Sequence, residues 1–514
     1  KPSSAASDVY KRQITGNLTT MDLFRKKSVD QLVSESTPLK RTMKTFDLTM
    51  LGIGAIIGTG IFVLTGKGAL TAGPALCVSF LLAAICCGFA GLCYAEFAAM
   101  APVSGSAYSY AYLAFGELIA FVIGWDLILE MLMAGSVISK YWGVYLNDFM
   151  RLMGWNANTN LTFGSFHIDI APIIIVAFFT TLLVFGTKIG ARVDGALTIL
   201  KIAIVVFIVV VGFFYIKAEN FTPFIPPSEP AASTDGSGVS AVMEQPLWQW
   251  ATGMAPSIYG VTGIISGAAL VFFAFLGFDV VATASEETIN PKKNVPLGIG
   301  VGLGLIIVLY TLVAIVTTGM VSYKDLAKQS DPSLAVAFKM VGADWAAKII
   351  SLGIVIGMAT VVMVLLLGLT RVVFAMSRDG LLPRGLSHTG KHGTPVRLQI
   401  IVGVVMALIA ACCNVGILSD MVNIGTLSAF TLVAISIPIM RKKRPDLEHS
   451  FKIPGNPWVP ILIAIANLWL MVNLSVLTWI RFVVWLIVGF AIYFGYGYRH
   501  ARLGAGELEV AAQE

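Results

Sequence analysis

The sequence predicts an all-α polytopic membrane protein with about twelve transmembrane helices. Three observations lead there. Of 514 residues, 57% are hydrophobic and only 12% charged, about half the charged share of a soluble domain. Apolar runs of about 20 residues, long enough to cross a bilayer, recur along most of the chain. These runs do not alternate apolar with polar residues, which excludes a transmembrane barrel.

Spans are expected near 46–71, 75–101, 106–137, 168–188, 194–217, 262–287, 297–321, 344–377, 396–414, 417–440, 457–477 and 480–499. Ahead of them, residues 1–20 have neither an initiator Met nor an apolar core. They are set aside as an added or disordered leader, with Met21 a candidate native start and no cleavable signal peptide expected. In residues 21–45, Leu23, Phe24, Leu32 and Val33 mix with Arg25, Lys26 and Lys27. That mixture suits either a short amphipathic helix on the inner membrane surface or a disordered tail.

Basic residues orient the chain. Lys40, Arg41 and Lys44 precede the first span, Lys188 and Arg192 lie between the fourth and fifth, and Lys292 and Lys293 follow the sixth. Arg378, Arg384, Lys391 and Arg397 follow the eighth, and "RKKR" at 441–444 follows the tenth. All fall on one side if the N-terminus is cytoplasmic, as the positive-inside rule requires. Lys324 and Lys328 are a mild exception, offset by Asp325 and Asp331. The loop 441–456 and the tail 500–514 are then cytoplasmic as well, in a multi-pass protein of the cell membrane. The segment 218–261, rich in Pro, Ser and Gly, is expected outside, where Trp248 and Trp250 suit the membrane interface. Asn160 and Asn220 begin glycosylation-type triplets.

The net charge of +6 follows from these loops, so no nucleic-acid partner is read into it. Cys77, Cys86, Cys87, Cys93, Cys412 and Cys413 all fall in apolar runs, as free thiols that pack like small hydrophobes. No histidine cluster suggests a metal.

The first span contains "GIGAIIGTGIF" (52–62), although glycine costs a helix interior roughly 1 kcal/mol against alanine. Five spans later, "ALVFFAFLGFDVVATASEE" (269–287) is interrupted around Gly277. Two broken spans at corresponding positions point to a secondary transporter's binding site, with 46–217 and 262–440 as inverted repeats of five spans each and 457–499 appended. Backbone that leaves the helix inside a bilayer must line a cavity or be buried in protein. Freed N–H groups there favour an anion, and freed carbonyls accept from an ammonium, which suits an amino acid zwitterion. Helix-packing glycines are the alternative explanation.

With these stretches, "PVSGSAYSYAYLAFGEL" (102–118), "GFDVVATASEETINPKKNVPLGI" (277–299), "SRDGLLP" (377–383) and "NIGTLSAF" (423–430), the chain resembles a bacterial member of the cationic amino acid transporter family. That family lies within the amino acid–polyamine–organocation (APC) superfamily. The matches run in order through the first ten spans. The resemblance implies the LeuT-like 5+5 fold with discontinuous first and sixth spans. It places the substrate carboxylate on the amides of Gly58, Thr59 and Gly60, and the amine near the carbonyls of Ile56, Phe273, Ala274 and Leu276. Phe273 would cap the occupied site as its gate. The long 218–261 segment departs from relatives with a short connection, and twelve spans are fewer than the fourteen of animal members.

Each charge inside an apolar run needs a reason, since one at mid-bilayer costs roughly 2.5–3.5 kcal/mol on insertion scales. Lys201, in "LTILKIAIVV", matches the lysine that proton-coupled bacterial relatives carry where sodium-coupled ones bind sodium; snorkelling to the inner interface near Asp194 is the alternative. Asp126 and Glu130 share a helix face at i, i+4. Glu130 matches a family glutamate near the cavity and would join Lys201 in a proton network, or serve as a plain acceptor. Met131 stands where relatives often have an aromatic residue. Asp279 either caps the second half of the sixth span or meets substrate. Glu96 and Arg371 are expected as structural partners or inner-gate residues; Glu286 and Glu287 are placed at the inner end and given no chemistry.

The expected function is proton-coupled symport of an amino acid by alternating access, with no enzymatic activity and no cofactor beyond the proton as coupling ion. The run "VVMVLLLG" (361–368), Leu365 included, offers no polar group to a long charged side chain. This favours small neutral amino acids such as alanine over arginine, lysine or ornithine. An exchanger of the same fold, or a sensor that binds without net transport, are the rivals. The partners expected are the substrate, the proton and membrane lipid; a small single-span accessory subunit would leave no motif.

Overall fold

The computed structural model describes all residues except 1–24, 26–40, 42, 101–105, 156–158, 164–165, 186, 231–242, 255–256, 286–287, 330–331, 391–393, 444–450 and 503–514. The expected surface helix at 21–36 and the acids Glu286 and Glu287 therefore lie outside the described residues, apart from Arg25.

The chain is helical throughout, as its composition requires. Among the described residues, eight helical runs are long and apolar enough to cross a membrane, and four apolar helices of 10–17 residues accompany them. The first span is α1 (Thr45–Ile56), a π-helical turn (Gly60–Leu64) and α2 (Thr65–Ala72). Then come α3 (Leu76–Met100), α4 (Ser106–Ala114), α5 (Glu117–Leu152), α6 (Ile170–Phe185) and α7 (Thr187–Phe213). The sixth span is α9 (Gly260–Val271), a 3-10 turn (Phe272–Phe275) and α10 (Phe278–Thr283); it follows the short α8 (Leu247–Thr252). Beyond it run α11 (Pro291–Met320), α12 (Tyr323–Leu326), α13 (Leu334–Met340), α14 (Asp344–Arg378), α15 (Val396–Cys412), α16 (Val415–Lys443), α17 (Trp458–Val472) and α18 (Val476–Ile492).

One expected span needs correcting. The third, placed at 106–137, is two helices: α4 stops at Ala114, and α5 starts at Glu117 and runs to Leu152. Gly116, at φ 103°, makes the corner, a backbone region that side chains with a Cβ avoid.

The packing follows from which faces are apolar all round. α5 and α14 lie along each other, α11 packs on α3 and α1, and α7 on α1 and α14. Large apolar side chains such as Ile174, Phe178, Val210, Val308, Leu408 and Val484 remain exposed on the perimeter, as expected where lipid takes the place of water. The segment after α7 is tied down at both ends. The Lys217 amide and the Asn220 side chain both donate to the Gly319 carbonyl, at 2.9 and 2.7 Å. β3 (Glu229–Pro230) pairs antiparallel with β4 (Ser257–Ile258), and Trp248 Nε1 donates to Asn473 Oδ1 at 2.9 Å in the turn between α17 and α18. Trp250 stays half exposed. A second ribbon, β1 (Asn160–Phe163) with β2 (Phe166–Asp169), sits between α5 and α6.

At the other end, Glu96 on α3 is buried and receives Arg441 of α16 through two bonds, Nε at 2.7 Å and Nη2 at 2.6 Å. The Ile453 amide also donates to Glu96 at 2.9 Å, while Arg441 donates to the Ile453 carbonyl at 3.0 Å. Arg371 lies elsewhere, 3.5 Å from the Thr283 hydroxyl. All six cysteines are free.

Candidate functional site

The two glycine-marked interruptions meet. α1 ends at Ile56, with Ile57 in an extended conformation, before the chain re-enters helix near Gly60. Opposite, Leu276 is extended and Gly277 adopts φ 120°. A Cβ on Gly60 would fall 2.2 Å from Ala274 Cα, and one on Gly277 would fall 2.8 Å from Ala55 Cβ. Glycine is thus required twice, by close approach at Gly60 and by approach plus backbone conformation at Gly277. Helix-packing glycines alone would not leave Ile57 and the Leu276–Gly277 pair outside helical geometry beside these contacts.

Between the breaks lies a narrow cavity of about 20 Å³, room for roughly one water molecule. Its walls hold Ile56, Gly58, Thr59, Gly60, Phe273, Leu276, Glu130, Asp279 and Leu365 from the sequence expectations. Met131, Ala134, Ile138 and Val361 add aliphatic side chains from α5 and α14, and Ala55 and Gly277 complete the lining at the breaks. Ala274 does not line it but packs on Gly60. Ala134 and Ile138 carry no polar signal, so only their three-dimensional placement reveals them, whereas Val361 opens the run 361–368 already read as apolar wall.

Three polar atoms on this wall are buried and lack a hydrogen-bond partner: Thr59 Oγ1, Glu130 Oε2 and Asp279 Oδ2. Orphaned buried polar atoms are costly, so their common placement on one cavity marks a site for a ligand or water. The other features of these acids are structural. Glu130 is hydrogen-bonded to Thr426 of α16, and the Asp279 carboxylate faces the backbone N–H groups of Gly277, Asp279 and Val280 at the start of α10. Asp279 therefore lies in the first turn of its helix, where an acid favours the dipole, and lines the cavity at once. Asp126, one turn before Glu130, points elsewhere and accepts from Ser428 Oγ at 2.7 Å.

The backbone carbonyls are partly engaged. Tyr310 OH donates to Ile56 O at 2.9 Å, and the Leu276 amide donates to Phe273 O at 3.3 Å. A carbonyl has two lone pairs, so each retains room for a ligand donor. Lys201 is fully buried and does not snorkel; its ammonium donates to Gly54 O at 2.6 Å. A Cβ on Gly357 of α14 would lie 3.3 Å from Lys201 Cγ, so the lysine stem runs between α1 and α14. Lys201 stands behind the first break, outside the cavity lining.

Residues 43–494 match the family model described as amino acid permease. The chain is 43% identical over 492 residues to the branched-chain amino acid permease BcaP of Bacillus subtilis, covering 94% of this chain and 99% of that protein. It is 42% identical over 490 residues to the methylthioribose transporter of the same organism, with the same two coverages. Human cationic amino acid transporter 4 is 30% identical over 600 aligned positions, covering 92% of this chain and 89% of that one.

Proposed function

The chain belongs to the amino acid permease family as a multi-pass membrane transporter, and from that premise we propose that it is a proton-coupled symporter of neutral aliphatic amino acids. The observation that carries this reading is the trio of unpartnered polar atoms, Thr59 Oγ1, Glu130 Oε2 and Asp279 Oδ2, on an otherwise aliphatic cavity between two helix breaks. An α-carboxylate fits the N–H groups of Gly58, Thr59 and Gly60 at the start of the outer half-helix, favoured by its dipole. An α-ammonium fits the carbonyls of Ile56, Phe273 and Leu276 together with the two acids. The side chain then rests against Met131, Ala134, Ile138, Val361 and Leu365, which favour an aliphatic group of modest size. Phe273 closes over it as the gate.

Coupling is assigned to Lys201. An ammonium removed from water loses its solvation, and the Gly54 carbonyl meets it from α1. A proton taken up or lost there alters the bond to α1 beside the substrate break, and so the balance between outward- and inward-facing states. The expected orientation puts both termini in the cytoplasm. No cofactor enters the cycle; lipid surrounds it, and an accessory helix remains compatible with the exposed perimeter.

A second reading has its own support. Two carboxylates accept from ribose hydroxyls as readily as from an ammonium, and a relative of nearly equal identity is named for methylthioribose. A cationic substrate, with Glu130 meeting its distal charge, and plain exchange are further alternatives. One experiment separates them. Protein in liposomes is offered labelled leucine, alanine, arginine and methylthioribose with and without an inward proton gradient. Gradient-driven accumulation of leucine or alanine supports the proposal. Accumulation of methylthioribose or arginine alone replaces the substrate, and uptake that needs only internal preloading replaces symport by exchange.

A further inference from the structure

Beyond the cavity, the second half of the first span carries a cation that no expected role absorbs. Lys67, in α2, donates its ammonium to Tyr141 OH of α5 at 2.8 Å, and the same ammonium lies 5.3 Å from the Tyr141 ring centroid. One turn further along α5, Tyr145 OH reaches the Phe62 carbonyl at 3.5 Å. Two tyrosines of one helix thus hold the half-helix that leads away from the break. Among the described residues Lys67 pairs with no carboxylate, so its charge is met by a neutral phenol and an aromatic face. Seven residues separate it from Gly60, about 10 Å along a helix axis, on the side of the membrane opposite the basic loops.

We propose that Lys67 is a substrate-positioning residue at the mouth of the cavity. Bonded to Tyr141 it closes the mouth; released, it receives the α-carboxylate of the arriving amino acid before that group passes to the amides of the first break. This rests on the cavity being an amino acid site. A phenol is an exchangeable partner for such a cation. Both partners accept from the same ammonium, so both bonds are charge-assisted; the carboxylate adds a full opposite charge that the neutral phenol lacks, so it displaces the phenol. The same cation disfavours arginine and lysine at the mouth, in keeping with an aliphatic substrate.

Two measurements on protein in liposomes test this. In uptake of labelled leucine and alanine, Lys67→Met should raise KM about tenfold, the loss of one charge-assisted bond, with Vmax nearly unchanged. Lys67→Arg should restore most of the affinity, and Tyr141→Phe, which keeps the cation, should leave KM near wild type. The second measurement needs no transport. With Cys412→Ser and Cys413→Ser as background, Ala134→Cys on the cavity wall is labelled with a membrane-impermeant maleimide from the Lys67 side. Tyr141→Phe and Lys67→Met should each speed labelling several-fold. An unchanged KM in Lys67→Met, or equal losses in Lys67→Met and Lys67→Arg, overturns the positioning role. Labelling rates that neither variant alters overturn the closure. Should the wild type take up no amino acid at all, the functional reading fails by itself, and the labelling arm still decides whether the pair closes the mouth.

Discussion

Lys201 Nζ lies 2.6 Å from the Gly54 carbonyl, which ties a buried cation on α7 to the backbone two residues before α1 ends. The bond joins a titratable group to a helix that stops at the candidate site, the pairing on which the proposed proton coupling depends. Its value lies in that position, because Lys201 does not touch the cavity.

Lys201→Ala should therefore abolish proton-driven accumulation while sparing exchange. In liposomes with an inward proton gradient, its steady-state accumulation should fall to the level seen without a gradient, whereas counterflow of labelled substrate should persist. Accumulation that still follows the gradient in Lys201→Ala would remove Lys201 from the coupling mechanism.

The contact between the two breaks gives a sharper test. A methyl group on Gly60 meets Ala274 backbone at 2.2 Å, whereas one on Gly88 meets nothing within 4 Å. Overpacking against backbone costs about 1–3 kcal/mol, so Gly60→Ala should lower the thermal unfolding midpoint and remove substrate binding. Gly88→Ala should be neutral or slightly stabilising, since alanine is the better helix former. Melting curves in detergent with and without substrate compare the two; a Gly60→Ala protein with a wild-type substrate shift would contradict the packing argument.

Glu96 and Arg441 join α3 to the end of α16 and to Ile453 in a buried pair. Removing one partner of such a pair leaves an uncompensated charge, at about 3–5 kcal/mol. Arg441→Ala should be poorly folded at neutral pH. Glu96→Gln with Arg441→Met, which removes both charges, should recover much of that loss. A double variant no better than Arg441→Ala would mean that the helix ends are held by other contacts.

The sequence conveys the helices and the two breaks well, because both depend on local chemistry. Apolar length sets a span, and glycine within it signals a break. What it conveys poorly depends on long-range placement. The corner at Gly116 hides in "LAFGEL" because one glycine in an apolar run reads as tolerable helix. The partner of Glu96 is Arg441, 345 residues away, and no periodicity links them. Glu130 and Asp126 look equivalent on one helix face, yet only Glu130 lines the cavity while Asp126 accepts from Ser428. Lys67, in a short polar interval of the first span, gains meaning only beside Tyr141.

The aliphatic wall makes the last prediction, on selectivity. Met131 sits where a methyl on Gly368 of α14 would come within 3.0 Å of its sulfur, so the side chain is confined between that helix and the cavity it lines. Met131→Ala removes three heavy atoms from this wall, and Gly368→Ala pushes Met131 inward; the two should act in opposite directions. One methylene of pocket volume is worth about 1–3 kcal/mol in discrimination. The preference for leucine over alanine, measured as the ratio of kcat/KM, should rise at least about tenfold in Met131→Ala and fall in Gly368→Ala. Both are read against proton-driven uptake of the two labelled amino acids. Ratios that move together, or not at all, would place the side chain of the substrate against another part of the cavity, with Val361 and Leu365 the next residues to vary.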